Sequence, residues 1–211
     1  MDPQSLTDSV AVLGGDLDGD RAAALTGRWG EPHRGYHDEQ HLAEMLTAID
    51  ALAAGAGLDE RGLALVRLAA WYHDAVYDPA AAAGANEEAS ARLAEADLAA
   101  AALSETDVAV VAELVRATAE HALPGPSGAH AVLHDADLWI LSAPPTRYAD
   151  YTAQVRREYA AVPDPDFARG RAAILAPFLD RDRLYATQQA HREWTARARD
   201  NLADELARLT R

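Results

Sequence analysis

The chain has 211 residues, 49% of them apolar, no cysteine, and a formal net charge of −15 from 19 basic and 34 acidic residues. That length suits one compact domain with a sizeable core, and the missing cysteine excludes disulfides and thiolate metal ligands. The acidic balance argues against extended nucleic acid as a partner, and a phosphorylated substrate would need local arginines or a metal ion to offset the field.

Every basic residue is arginine, and Ala, Leu, Arg and Glu dominate, which favours helix. Strand-like alternation of β-branched residues is scarce. The pattern predicts an all-α chain of about eight or nine helices. The first lies loosely in 5–29, broken by GGDLDGD. The second runs from about Asp38 through EQHLAEMLTAIDALA, with Leu42, Met45, Leu46, Ile49 and Leu52 on one face. A third spans about Glu60 to Val76 and stops before Pro79. A fourth is NEEASARLAEADLAAA. The fifth opens at Ser104, an N-cap three residues ahead of Asp107. LPGPSG is a break. AHAVLHDADLWILSA, PTRYADYTAQVRREYAAV and DPDFARGRAAILAPFLD follow, and a last helix covers about Gln188 to Leu209. No linker divides the chain, so 1–32 reads as an N-terminal helical segment on a single globular domain, 33–211. Apolar runs are too short for a membrane span, and MDPQSLTDSV lacks the basic start and apolar core of a signal peptide. The expected location is the cytoplasm.

Three stretches carry ionisable side chains into apolar helices. In AAWYHDAVYDP, His73 and Asp74 follow Trp71 and Tyr72. In RGYHDEQHLAEML, His37 and His41 are four apart and share a helix face. In VLHDADLWIL, Asp135 and Asp137 are two apart and face nearly opposite ways, so one of them reaches a shared ion. Asp135 fits an N-cap before Ala136, and Asp137 projects from the first turn. Each stretch alone also fits a structural role, as a hydrogen-bonded core histidine, a surface pair, or caps. Taken together, mutual coordination by His41, His73, Asp74 and Asp137 satisfies all of them, because buried polar groups need partners. Two imidazoles and two carboxylates suit Mn, Fe, Co, Ni or Zn. On an octahedral ion they leave two positions for water and substrate.

The ordered set YHDEQH, WYHDAVYDP, NEEASARLA and LHDADLWIL resembles the HD superfamily of metal-dependent phosphohydrolases, in one bacterial branch of predicted phosphohydrolases. The resemblance covers roughly 33 to 205. It implies a helical HD-type domain, one divalent transition metal ion per chain held by His41, His73, Asp74 and Asp137, and a metal-activated water cleaving a small phosphate ester, nucleotides included. Two-metal members carry two further histidines. The first position holds Asn86 here, and the second corresponds to His121, so one ion is expected, with His121 beside it or on substrate. Asp74 is then the water-orienting residue, and His37 or His121 the proton carrier. Glu87 or Glu88 could orient supporting groups. Arg34, next to the first cluster, is the leading phosphate contact, followed by Arg156, Arg157, Arg169 and Arg171. Tyr36, Tyr77, Tyr148 and Tyr151 are candidate pocket walls. The alternatives are a di-iron HD-type oxygenase, against which Asn86 counts, and a non-catalytic nucleotide- or metal-binding domain. A ferritin-like bundle would need Glu-x-x-His, which is absent.

Overall fold

A computed structural model describes residues 3–210. Among them it contains no β-strand. There are ten α-helices: α1 (Gln4–Val12), α2 (Gly19–Arg28), α3 (Glu39–Ala53), α4 (Glu60–Tyr72), α5 (Ala85–Ala100), α6 (Glu105–Ala117), α7 (Gly128–Asp137), α8 (Pro145–Glu158), α9 (Asp164–Asp180) and α10 (Gln188–Leu209), with a 3₁₀ turn at Leu138–Ser142. The all-α expectation holds. The count exceeds eight or nine because GGDLDGD separates two helices, α1 and α2, within one loose segment.

Short polar side chains start five of these ten helices by taking up backbone N–H groups that have no partner inside the helix. Asp18 accepts from the amide of Arg21, Asp38 from those of Gln40 and His41, Asp59 from that of Gly62, Ser104 from that of Asp107 and Thr187 from that of Ala190. Proline at the first turn, where no N–H is needed, opens α8 and α9.

The core is continuous. Leu42, Met45 and Ile49 of α3 and Leu68, Trp71 and Tyr72 of α4 are fully buried, as are Val111 and Leu114 of α6 and Val132 of α7. Here α3 packs on α4 and α7, and α4 on α6 and α7. That three-helix contact brings the ends of α3, α4 and α7 to one place. The N-terminal segment shares the core: α1 lies on α4, and Leu6, Val10, Leu25 and Trp29 are buried. The Trp29 indole donates to the carbonyl of Trp71 at 3.2 Å, and the Trp71 indole donates to Ser5 Oγ at 3.2 Å. No helix among the described residues is long and apolar enough to cross a membrane.

Two local expectations need correction. The helix predicted to reach Val76 stops at Tyr72, so His73 caps it and Asp74 stands on the turn beyond. Asp135 is not an N-cap of its own helix. Gly128, at φ 82°, starts α7 seven residues earlier, so Asp135 is buried in the last turn. Its carboxylate instead accepts from the amides of Ala186 and Thr187 at 2.6 and 2.7 Å and from Thr187 Oγ1 at 2.7 Å, which fixes the start of α10.

Candidate metal centre

His41 Nε2, His73 Nε2 and a carboxylate oxygen of Asp74 lie within 4.8 Å of one another, and all three residues are buried. The two Nε2 atoms are 3.1 Å apart. Asp74 Oδ2 stands 3.0 Å from His73 Nε2 and 3.8 Å from His41 Nε2. Asp137 Oδ1 approaches the same nitrogens at 3.4 Å from His41 and 3.8 Å from His73. The four side chains proposed from sequence therefore meet. Donors about 2.1 Å from a common ion sit roughly 3.0–3.4 Å apart at octahedral or tetrahedral angles; the 3.0, 3.1 and 3.4 Å separations match this, the two at 3.8 Å are wider, and His41, His73 and Asp74 form the group that could hold one ion.

The chemistry of the donors agrees. His73 Nδ1 lies 2.7 Å from the carbonyl of Ala70, which only accepts, so this nitrogen carries a proton and neutral His73 presents a lone pair at Nε2. His41 Nδ1 lies 2.9 Å from the Tyr36 hydroxyl. An imidazole that directs one nitrogen at a protein oxygen and the other at its neighbours is the usual arrangement of a metal-ligating histidine. Two nitrogen lone pairs and two carboxylates facing each other repel unless a cation or protons lie between them. Protons do this without an ion. Burial pushes His73 down, but the charge and hydrogen bond of Asp74 and the charge of Asp137 raise it to about 9. Burial likewise pushes Asp74 up, yet the charges of His73 and His37 hold it well below the usual carboxylate range. Asp137 is low for the same reason, through the hydrogen bond from His41 and the charges of His121 and His73.

His37 is not among these donors. Its Nδ1 lies 2.8 Å from Glu158 Oε2, and its ring stacks on Tyr77 with centroids 4.3 Å apart. Glu158, at the end of α8, had no signal in the sequence; its partners are 81 and 121–123 residues away. One oxygen accepts the consecutive amides of Gly35, Tyr36 and His37 at 2.8–2.9 Å, and the other accepts from His37 and the Tyr77 hydroxyl. Gly35 permits this approach, since a Cβ there would collide with the carbonyl of Gln154 and sit 2.8 Å from Glu158 Cγ. Burial raises Glu158, but His37 and the amides bring it down to about 2. His37 is lowered by burial and raised more strongly by Asp74 and Glu158, so its net shift is upward.

His121 stands beside Asp137, Nδ1 to Oδ2 at 3.4 Å, with φ at 44° and its carbonyl held by Arg181. His134, which the sequence reading passed over, directs Nδ1 at Asp135 (2.9 Å) and leaves Nε2 buried with no partner.

Arg34, expected as the leading phosphate contact, is occupied by other partners. Its side chain is fully buried and is not in the wall of the cleft that holds His73, Asp74 and Asp137. The guanidinium donates to Glu31 and to the carbonyls of His37, Asp74 and Ala75 at 2.8–3.2 Å, so it satisfies the turn beyond α4. Arg156 is bound to Asp164 and two carbonyls, and Arg169 to Asp166. Arg157 is exposed and outside the cleft. Arg171 does face the cleft but is held by Glu205 at 2.8 Å and the Tyr151 hydroxyl at 2.6 Å.

The cleft measures about 670 Å³ and has His73, Asp74 and Asp137 in its wall. Tyr36, Tyr77, Tyr151 and Glu87 line it. Tyr148 does not, because its hydroxyl goes to Glu205, and Glu88 pairs with Arg92 and Arg116. Asn86 lines the cleft while its amide brackets both backbone groups of Asp78. Comparison of the chain with protein-family models, curated proteins and solved structures finds no match in any of the three.

Proposed function

We propose that this protein is a metal-dependent phosphohydrolase of the HD type, which cleaves a phosphomonoester with water at the His41–His73–Asp74–Asp137 centre. The observation that carries the reading is the meeting of two imidazole nitrogens and two carboxylates from the start of α3, the cap and turn after α4 and the end of α7, with His73, Asp74 and Asp137 in the wall of a ligand-sized cleft. The mixed nitrogen and oxygen set suits a divalent transition metal, which when bound supplies Lewis acidity toward a phosphoryl oxygen and lowers the pKa of water.

The side chains divide the remaining work. Asp74 directs Oδ2 at the imidazoles, and its carboxylate accepts a hydrogen bond from the attacking water. As the water oxygen bonds to phosphorus and the ester P–O bond breaks, the departing alkoxide takes the proton of His37; one water hydrogen stays on the product phosphate, and the other leaves by way of the Asp74 carboxylate to solvent, from which His37 is reprotonated. Glu158 orients that imidazole by accepting from Nδ1, which leaves Nε2 for the cleft. The pKa of His37 is shifted upward by Asp74 and Glu158 against the effect of burial, which favours the protonated form that a general acid needs. A di-iron oxygenase is less favoured, because Asn86 spends its amide on Asp78.

The test is elemental analysis of the purified protein, followed by phosphate release from monoesters with the metal found, with Asp74→Ala alongside. About one ion per chain and turnover lost in the variant support the reading. A variant that keeps both metal and turnover refutes it, and ligand binding without turnover across Mn, Co, Ni and Zn points to a binding domain.

A further inference from the structure

The walls of the cleft restrict what the centre can accept. Asp74, Asp78, Glu87, Asp137 and Asp166 face it, against a single guanidinium, Arg171, whose charge Glu205 already neutralises. A divalent ion would offset Asp74 and Asp137, and Glu158 offsets His37. The cleft wall then holds no arginine free of a carboxylate; its remaining imidazole, His121, lies against Asp137, and of the rim carboxylates Asp78, Glu87 and Asp166 only the last is paired with an arginine, Arg169, on a chain of net charge −15. A phosphoryl group placed on the ion is balanced there. A second or third phosphate would meet this acidic rim with no unpaired guanidinium in the cleft wall to offset it.

The opposite wall is apolar. Val155 and Tyr159 from α8 and its end, and Phe167, Ile174, Leu175 and Phe178 from α9, line it. Ile174 is 59% exposed on this wall, the highest exposure of any large hydrophobic side chain described. The wall reaches the centre itself, because Phe178 lies 6.0 Å from the His121 ring, and His121 touches Asp137. Exposed apolar surface that continues into a polar centre marks a place where an apolar group is bound.

We infer that the ligand of this centre is a phosphomonoester with a bulky apolar or aromatic body and no further negative charge, rather than a nucleoside di- or triphosphate. This rests on the phosphohydrolase reading for the reaction but not for the binding preference.

The experiment measures binding by calorimetry to the metal-loaded protein, using naphthylmethylphosphonate, methylphosphonate, AMP and ATP, with hydrolysis of the matching naphthyl, glycerol and adenosine phosphates alongside. A naphthyl group adds roughly 100 Å² of apolar surface, which at about 25 cal/mol per Å² predicts binding tenfold to a hundredfold tighter than methylphosphonate. Ile174→Asp, at an exposed position, should reduce that ratio severalfold. ATP binding as tightly as the naphthyl compound, or equal affinity for the naphthyl and methyl compounds, overturns the inference. Preference for the naphthyl compound with no hydrolysis of any ester upholds it and refutes the phosphohydrolase reading. Hydrolysis of all esters with no preference does the reverse.

Discussion

Metal binding should expel a proton from His73, and the structure sets the scale. With Nδ1 committed to the Ala70 carbonyl, the second proton sits on Nε2, the atom an ion needs. In the ion-free protein His73 titrates at about 9, against an ordinary 6.5. A folded-state pKa raised in this way stabilises the ion-free fold fully below pH 6.5, and the effect fades as pH rises through 9. The shift corresponds to about 3 kcal/mol at most. An ion must displace that proton, so its affinity should rise about tenfold per pH unit up to about 9. Asp74 and Asp137 add no protons to the count, because their depressed values leave them ionised near neutrality. Calorimetric titration of Zn or Mn at pH 7, in buffers of different ionisation enthalpy, should count about one proton released per ion. The dissociation constant should fall about a hundredfold between pH 6 and 8. No proton release together with a constant affinity over that range would refute the assignment of His73 as a ligand through Nε2.

Two substitutions probe the supports of the centre. Glu158→Gln keeps an acceptor for the three loop amides but removes the charge beside His37, so the imidazole loses its proton at lower pH. The alkaline limb of the kcat profile should move down by about 1 pH unit, with metal content unchanged. Arg34→Lys cannot span the carbonyls of His37, Asp74 and Ala75. Leaving even one or two of them unsatisfied costs about 2 kcal/mol or more, and a thermal melt should fall by about 4–8 °C.

Much of this architecture can be read in the residues themselves. Asp38, Asp59 and Ser104 announce helix starts because a short acceptor before an apolar-periodic stretch has few other uses, and the apolar faces of α3 and α4 repeat cleanly. The same rule misplaced Asp135, whose setting before Ala136 imitates a cap although Gly128 had already begun the helix. The grouping of His41, His73 and Asp74 was legible because a His or Asp inside an apolar helix needs a partner, and only a few were on offer. The setting of Arg34 was not legible, because adjacency in sequence suggested an anion, whereas the end of α4 at Tyr72 leaves carbonyls in the next turn that its guanidinium reaches. Glu158 was out of reach, since a lone glutamate in VRREYAAV says nothing about amides 121 residues earlier.

The segment that carries Tyr36 and His37 is tied on two flanks. Arg34 fastens it to the turn beyond α4, and Glu158 fastens it to the end of α8. A stretch secured on one side can flicker open independently, but this one cannot release its amides unless α8 withdraws. Its hydrogen-exchange protection should therefore track that of the neighbouring helices, so an irregular strand of backbone here behaves as part of the same cooperative unit.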